Sequence, residues 1–264
     1  MPTAIIPIYN SIGVHWYGVM MSLGILTGIF VAQLHPLKKT IFADINLIDV
    51  TIFIIGVGII GARIFYVFNN YEQFNNIREM VNVFSGGLWS IGGIISSAAT
   101  LPFYLYYKKI PIFSFLDFIC LHVPLMQSIA RIGCFLEGCC FGIASNAPWA
   151  YTPDGFSHSV HPTQLYSSFL LLLIFLYLYF YVQHQVTIPG QIGFVYLLLT
   201  SIERFSHDFL RNDDFLHDGR KYLASNYLSF FSINQWLCIA IAVNSLIGLY
   251  SIIYLFPNKI STKR

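Results

Sequence analysis

The stretch IDVTIFIIGVGIIGARIFYVF, residues Ile48–Phe68, decides the fold class. Asp49 and Arg63 are its only charged residues. A helix of this length rises about 30 Å, which is the thickness of the hydrocarbon core of a bilayer. The stretch therefore predicts a transmembrane helix that carries one arginine inside the apolar layer.

Six further runs of similar length and hydrophobicity lie along the chain. With the first, the predicted spans are Gly13–Leu34, Ile48–Phe68, Gly86–Tyr107, Ile112–Leu136, Thr163–Val182, Ile188–Phe205 and Ile233–Phe256. They leave little chain for a separate soluble domain. Residues 1–264 are therefore predicted to form one all-α polytopic membrane domain with seven transmembrane helices.

The composition agrees with a membrane protein and excludes other classes. Charged residues make up 10% of the chain and hydrophobic residues 56%, whereas roughly a quarter of a soluble domain is charged. The mean hydropathy is +0.65. Too few polar residues are present to cover a water-exposed surface, which excludes a soluble globular or a disordered protein. A net charge of +2 gives no reason to expect a nucleic-acid partner.

Basic residues in the connections predict the orientation, because cytoplasmic loops are enriched in lysine and arginine. One face is predicted to carry seven of them: Lys38, Lys39, Lys108, Lys109, Lys259, Lys263 and Arg264. The other is predicted to carry four: Arg78, Arg211, Arg220 and Lys221. This difference places the N-terminus in the periplasm and the C-terminus in the cytoplasm.

Three arginines, Arg63, Arg131 and Arg204, lie inside predicted spans. At 1.5 Å per residue they lie about 22, 28 and 24 Å above the cytoplasmic ends of their helices. Buried arginines are costly in a membrane, so each needs a partner or a route to water. Either each side chain reaches the interface on its own, or all three surround one anion. Because they share one depth, we expect them to meet around the phosphate of a lipid head group, which guanidinium groups bind bidentately.

The segment Ala130–Gly142 is the strongest local motif, with three glycines shortly after an arginine. Glycines let backbone amides approach a ligand and permit positive φ angles. Glu137 is expected to pair with one of the arginines. The alternative interpretation of this segment is a helix C-cap followed by an ordinary turn.

Three further segments carry polar residues at span ends. Gly86–Gly93 is interpreted either as a ligand-binding turn or as small residues for tight helix packing. His161–Tyr166 is a loop-to-helix entry with a proline, which suits an anion. In Glu203–Arg211, the residues Arg204 and Arg211 lie on one helical face and form either part of a site or an ion-pair ladder.

Together these segments resemble the prolipoprotein diacylglyceryl transferase family, over nearly the whole chain and in the same order. Ser85–Leu88 resembles the family's His-Gly-Gly-Leu turn, and Arg131–Gly142 its Gly-Arg-x-Gly-Asn-Phe signature. The other matching segments are His15–Gly18, Gly61–Tyr66, His161–Tyr166 and Arg204–Arg211.

The resemblance implies a bacterial inner-membrane enzyme of seven spans. Such an enzyme moves the diacylglyceryl group of phosphatidylglycerol onto the lipobox cysteine thiol of a prolipoprotein signal peptide and releases glycerol phosphate. The predicted partners are therefore this phospholipid, the signal peptide and the bilayer, with no cofactor and no metal.

The resemblance implies roles for Arg131, Gly142, Arg204, Tyr17 and Arg63, and the shared predicted depth adds the other residues. The predicted catalytic residues are Arg204, Tyr17 and His15. The predicted substrate-binding residues are Arg131, Arg63, Gly142, Glu137, His161, Gln164, Gly86 and Gly87. Among these, Arg131 and Arg63 are expected to hold the phosphate, and Arg204 to stabilise the departing phosphoryl group.

The sequence departs from the family pattern at three positions. Ser85 replaces a histidine that is proposed as the base, Cys134 replaces an asparagine, and Cys139 replaces a glutamate. A free thiol needs a base or a positive field to form the thiolate. His15 or His161 is therefore predicted to accept the proton.

Two alternatives remain open. The first is a non-catalytic phospholipid-binding protein on the same fold. The second is a membrane thiol oxidoreductase or metal-binding protein that uses Cys134, Cys139 and Cys140, because clustered thiols exchange disulfides and bind soft metals.

Overall fold

The computed structural model describes residues 6–9, 12–74, 76–83, 86–186, 188–211 and 231–255. Within these ranges, each of the seven predicted spans contains one long helix. The elements are β1 (Ile6–Tyr9), β2 (Ile12–Val14), α1 (Trp16–Leu34), α2 (Pro36–Thr40), α3 (Leu47–Asn69), α4 (Ile77–Val81), α5 (Ser90–Tyr107), α6 (Ile112–Leu136), α7 (Thr163–Tyr177), α8 (Gln183–Gln185), α9 (Gln191–Leu210) and α10 (Ile233–Leu255). A π-helical turn, Leu178–Val182, joins α7 to α8.

Five helical segments are long and apolar enough to cross a membrane: Trp16–Leu34, Leu47–Asn69, Ile112–Leu136, Thr163–Gln185 and Asn234–Tyr254. The protein is therefore a helical membrane protein. The other two long helices, α5 and α9, occupy the remaining predicted spans, and α9 is the more polar because it includes Glu203, Arg204 and Asp208. The count of seven spans and the orientation stay predictions.

Local sequence signals account for where several helices begin. The Asn46 side chain accepts a hydrogen bond from the Ile48 amide at 3.0 Å and caps α3. Helix α5 begins at Ser90, four residues later than predicted, because Gly86 and Gly87 have φ angles of 82° and 75°. Positive φ angles do not continue into a helix. At the N-terminus, β1 and β2 form a short antiparallel hairpin that the all-α prediction did not include.

The chain packs into two compact units. Unit 1 comprises Met1–Ala32 and Leu116–Arg264, and unit 2 comprises Gln33–Phe115. In unit 2, α3 packs against α5 through small residues. A Cβ on Gly61 would lie 2.8 Å from the Gly92 carbonyl oxygen, and a Cβ on Gly92 would lie 2.7 Å from the Gly61 carbonyl oxygen. The small residues of Gly86–Gly93 thus include a helix-packing contact.

In unit 1, the apolar core lies between α6, the π-helical turn and α9. The buried Asp117 carboxylate of α6 accepts hydrogen bonds from the Gly190 amide at 2.6 Å and the Gly193 amide at 2.8 Å. These amides are among the unpaired donors at the start of α9, and the negative charge complements the helix dipole there. Asp117 therefore fixes the start of α9 against α6.

Six residues named in the predictions lie outside the described residues: Ser85, Arg220, Lys221, Lys259, Lys263 and Arg264.

Candidate functional site

A cavity of about 940 Å³ lies where α1 begins and α6 ends, within unit 1. Its lining residues are His15, Tyr17, Gly18, Ser22, Arg131, Cys134, Glu137, Cys139 and Cys140. The two helices approach closely there, since a Cβ on Gly133 would lie 3.3 Å from the Cα of Tyr17. This approach brings the predicted residues Tyr17, His15 and Glu137 to the same cavity as Arg131.

The C-terminus of α6 ends in a Schellman motif. The Cys139 amide donates to the Cys134 carbonyl at 3.1 Å, and the Gly138 amide donates to the Phe135 carbonyl at 3.1 Å. Gly138 has a φ angle of 69°, as this motif requires. The helix-cap interpretation of Ala130–Gly142 is therefore correct. The cap also forms part of the site, because residues separated like Cys134 and Cys139 face each other across a Schellman turn.

Three thiols form a cluster on the cavity wall. The sulfur atoms of Cys134, Cys139 and Cys140 all lie within 4.8 Å of one another, and those of Cys139 and Cys140 are 3.3 Å apart. All three cysteines are free, and Cys134 is buried. Cys140 has a φ angle of 65°, which turns the chain sharply after Cys139.

The two cysteines beyond α6 have unequal acidities. Hydrogen bonds from Cys134 and Cys139, together with the positive charges of Arg211 and Arg131, hold the pKa of the Cys140 thiol far below its usual range. The pKa of the Cys139 thiol is raised, because its hydrogen bonds with Cys134 and Cys140 and its burial favour the protonated form. The positive charges near Cys140 therefore favour its thiolate form over that of Cys139.

A first prediction concerns alkylation of this cluster in reduced, chelator-treated protein. A lowered pKa leaves the thiolate in place as the pH falls, so Cys140 should react with iodoacetamide at pH 6 while Cys139 does not. Peptide mass spectrometry after timed labelling measures this difference. Cys120, a partly buried residue of α6, is the control outside the cluster. Equal labelling of Cys139 and Cys140 at pH 6 would contradict the assignment.

Glu137 pairs with a histidine and a helix end, and the expectation of an arginine partner is wrong. Its Oε1 atom lies 2.9 Å from Nδ1 of His15, and its Oε2 atom accepts the Tyr17 amide at 3.2 Å. A carboxylate at the first turn of α1 stabilises the unpaired amides there. Because Nδ1 of His15 faces this carboxylate, Nε2 is left to accept a proton when the ring is neutral.

The first turn of α7 fixes the backbone that carries the thiols. Thr163 Oγ1 donates to the Cys140 carbonyl at 3.0 Å, and Gln164 Nε2 donates to the Cys139 carbonyl at 2.6 Å. Both side chains are fully buried. His161 Nδ1 lies 3.1 Å from the Tyr166 hydroxyl. Gln164 and His161 thus lie around the cysteine loop, whereas among the described residues only His15 of the two predicted proton acceptors lines the cavity.

Gly142 lies at the crossing of three segments. Its amide donates to the His161 carbonyl at 2.9 Å, and the Ile143 amide donates to the Leu210 carbonyl at 2.9 Å. A Cβ on Gly142 would lie 2.6 Å from the Leu210 oxygen and 2.7 Å from Cγ2 of Thr163. Only glycine fits where the cysteine loop passes between α7 and α9.

A second prediction follows for Gly142→Ala. The added methyl group must displace backbone, so we expect a loss of roughly 1–3 kcal/mol in stability, as for other overpacked sites. Thermal unfolding in detergent measures the loss as a lowered Tm. Gly56→Ala is the matched control, because a Cβ on Gly56 meets no atom within 4 Å. An unchanged Tm for Gly142→Ala would contradict the close approach.

Arg131 is the cation of the cavity wall. No hydrogen bond or ion pair joins its guanidinium to another residue in the part of the chain that the structure describes. Its charge and those of Arg204 and Arg211 act on one another. Arg131 and Arg211 therefore lie close enough to Arg204 for their charges to act on it. The meeting of the predicted arginines around one anion stays a prediction.

Arg63 belongs to unit 2, so its predicted meeting with Arg131 and Arg204 stays a prediction. Its guanidinium is buried and donates to four backbone carbonyls. These belong to Met80 at 2.8 Å, Glu79 at 2.7 Å, Gly87 at 3.0 Å and Gly86. Arg63 thereby fixes the turn that holds Gly86 and Gly87, two other predicted site residues.

Sequence reasoning also missed a buried polar contact between α7 and α9. The Ser167 hydroxyl donates to Oε1 of Glu203 at 2.5 Å, and both side chains are buried. His207, one turn after Glu203, is also buried and lies close to the charges of Arg131, Arg204 and Arg211. The polar pattern of Glu203–Arg211 pointed to this helix face, but its partners on α7 had no sequence signal.

The fold and cavity define a helical membrane protein whose cavity wall carries Arg131, with the charges of Arg204 and Arg211 nearby. A family model described as prolipoprotein diacylglyceryl transferase matches residues 3–252. The chain belongs to this family.

Curated relatives agree with the family assignment. Over 238 residues, covering 90% of this chain and 90% of the relative, the chain is 31% identical to the phosphatidylglycerol--prolipoprotein diacylglyceryl transferase of Finegoldia magna. It is 34% identical to the protein of that name from Clostridioides difficile, covering 78% of this chain and 82% of the relative. The protein of that name from Thermotoga maritima is 32% identical, with 76% of this chain and 72% of the relative covered.

Proposed function

We propose that this protein transfers the diacylglyceryl group of phosphatidylglycerol to the cysteine thiol of prolipoproteins. The observation that carries the proposal is Arg131, a cavity-lining guanidinium that has no protein partner among the described residues, in a chain of this family. A free guanidinium is suited to bind a phosphodiester through two parallel hydrogen bonds. Arg204 and Arg211 add positive charge nearby.

The proposed reaction is a displacement at carbon. The thiol sulfur of the lipobox cysteine attacks the glyceryl carbon that bears the phosphate ester oxygen. A carbon–sulfur bond forms, the carbon–oxygen bond breaks, and glycerol phosphate leaves with the electron pair. Arg131 binds the phosphate in the ground state, and Arg204 stabilises the charge that develops on the departing oxygen.

The remaining predicted residues have supporting roles in this proposal. His15 accepts the thiol proton on Nε2, with Glu137 holding the ring, and Tyr17 lines the cavity beside it. Gln164, His161 and Gly142 fix the loop that follows α6. Arg63 acts on Gly86 and Gly87 by fixing their turn, as its four carbonyl contacts support.

The membrane setting is part of the proposal. We place the protein in the bacterial inner membrane as a single seven-span domain, with its N-terminus in the periplasm and its C-terminus in the cytoplasm. In this orientation the cavity lies near the outer leaflet, where exported signal peptides present their cysteine. The basic residues Lys38, Lys39, Lys108 and Lys109 then lie in the cytoplasm, as the positive-inside rule favours.

Complementation tests the proposed function. Bacteria depleted of their own transferase and expressing this chain should regain lipidated lipoproteins, detected by metabolic labelling with a radioactive fatty acid. A substrate lipoprotein with serine in place of its lipobox cysteine is the negative control. Binding of phosphatidylglycerol vesicles without restored lipidation would contradict transfer and favour the non-catalytic alternative.

A further inference from the structure

The three clustered thiols have the geometry of a metal site. Zinc binds thiolates at about 2.3 Å, so three sulfurs around one tetrahedral ion lie roughly 3.8 Å apart. The sulfurs of Cys134, Cys139 and Cys140 all lie within 4.8 Å of one another, with one pair at 3.3 Å. We propose that these three cysteines bind one Zn²⁺ ion and that this ion activates the thiol of the incoming substrate.

The backbone holds the three sulfurs in place before any metal binds. The Schellman motif at the end of α6 sets Cys134 opposite Cys139, and the positive φ angle of Cys140 brings the third sulfur to the same side. Thr163 and Gln164 hold the carbonyl groups of Cys140 and Cys139. Such buried hydrogen bonds behind the ligating residues orient metal ligands and increase affinity.

The site has three protein ligands and one open position. The other nearby donors of the cavity wall, His15 and Glu137, are bonded to each other. Three protein ligands with a fourth position open to solvent are typical of catalytic zinc, whereas structural zinc is enclosed by four. The three cysteines line a cavity of about 940 Å³, which has room for a substrate.

The charges around the cluster favour an anionic complex. Zn²⁺ with three thiolates carries one net negative charge, which the nearby Arg131 and Arg211 offset. The same arginines are the groups that attract the phospholipid phosphate. Zinc rather than a redox-active metal fits this setting, because the proposed displacement transfers no electrons to or from the metal.

The catalytic part of this inference rests on the proposed function. A zinc ion held by Cys134, Cys139 and Cys140 would supply a Lewis acid for the substrate thiol, and His15 would accept the thiol proton on Nε2. A coordinated thiol is deprotonated at neutral pH. The substrate thiolate would then attack the glyceryl carbon as in the proposed reaction, with glycerol phosphate as the leaving group. The zinc ion and His15 together would thus take the place of the histidine that the family pattern has at position 85.

Metal analysis of the full-length protein tests the site without any reference to transfer. Protein purified under reducing conditions and equilibrated with zinc should contain about one Zn²⁺ per chain after desalting. Cys134→Ser, Cys139→Ser and Cys140→Ser should each lose most of it, whereas Cys120→Ser, which lies on α6 like Cys134 but outside the cluster, should retain it. Circular dichroism reports whether each variant is folded. Zinc-free wild-type protein, or equal zinc in the cluster variants, would overturn the proposal.

Cobalt substitution tests the open position. Co²⁺ bound by thiolates shows charge-transfer absorption, and its visible bands depend on the fourth ligand. Adding N-acetylcysteine methyl ester should shift the visible bands of the wild-type protein, while the corresponding serine ester should not. An unchanged spectrum would overturn an open, thiol-binding position.

Transfer assays then separate the failure of this inference from the failure of the proposed function. Chelator-treated protein should lose transfer and regain it with added Zn²⁺. Full transfer by zinc-free protein would overturn the catalytic role of zinc and leave the proposed function intact. Stoichiometric zinc that binds the thiol probe, without transfer in any form of the protein, would contradict the proposed function and support the thiol-binding metal site.

Discussion

Replacing Arg131 with alanine is expected to lower kcat/KM for diacylglyceryl transfer by about 10–10²-fold, chiefly through a higher KM, because Arg131 binds the phosphate in the ground state and hydrogen bonds to charged groups contribute about 1.5–3 kcal/mol. Arg131 lines the cavity, and its guanidinium forms no hydrogen bond or ion pair with the described residues. Its loss therefore removes phosphate binding without breaking a contact within the described fold. Transfer from labelled phosphatidylglycerol to a lipobox peptide, measured in mixed micelles over a range of lipid concentrations, gives kcat and KM.

Two control variants define what Arg131 does. Arg131→Lys keeps the charge but loses the planar pair of donors, so we expect an intermediate defect. Arg78→Ala removes an exposed arginine of α4 and should leave transfer unchanged. An Arg131→Ala enzyme within about twofold of wild type, against the expected loss, would exclude Arg131 as the phosphate ligand.

The helical framework could be predicted from the sequence because one physical constraint governs it. Backbone polar groups in hydrocarbon must be satisfied internally, so apolar runs of this length form helices. Ile112–Leu136 and Thr163–Val182 therefore coincide with α6 and with the helical segment that begins at Thr163. The start of α5 was misplaced because hydropathy does not register the positive φ angles of Gly86 and Gly87.

The arginines show the limit of the depth argument. Residue spacing along a helix gives height above the membrane surface, and says nothing of which way a side chain points or what the adjoining turn does. Arg63 was predicted to bind phosphate, yet its donors reach the carbonyls of a turn that folds back to it. Glu137 was assigned an arginine by charge alone, although the start of α1 lies closer.

The sequence predicts part of the thiol cluster, the contact between Cys134 and Cys139, but not the position of Cys140. The spacing of Cys134 and Cys139 around Gly138 is that of a Schellman motif, in which the third residue from the helix end meets the second residue beyond the cap. That spacing predicts their contact once Gly138 is recognised as the capping glycine. The position of Cys140 depends on its own positive φ angle and on the hydrogen bond that Thr163 donates to its carbonyl. Neither feature has a sequence signal.

Arg204 should affect the chemical step more than binding. It lies on α9 near Arg131 and Arg211, and no described residue forms an ion pair with it. A cation that acts on the departing phosphoryl group contributes most when negative charge has developed there. For Arg204→Ala we therefore expect kcat to fall by about 10²–10³-fold while the affinity for phosphatidylglycerol changes little.

Single-turnover transfer and equilibrium binding of phosphatidylglycerol vesicles separate these two quantities for Arg204. Ser206→Ala changes an exposed residue two positions along α9, whose hydroxyl bonds only to its own helix, and should behave as wild type. Arg204→Lys should recover part of kcat, because a charge is restored without the planar donors. If Arg204→Ala instead weakens lipid binding and leaves the single-turnover rate unchanged, Arg204 holds the phosphate in the ground state, and the division of roles between it and Arg131 is reversed.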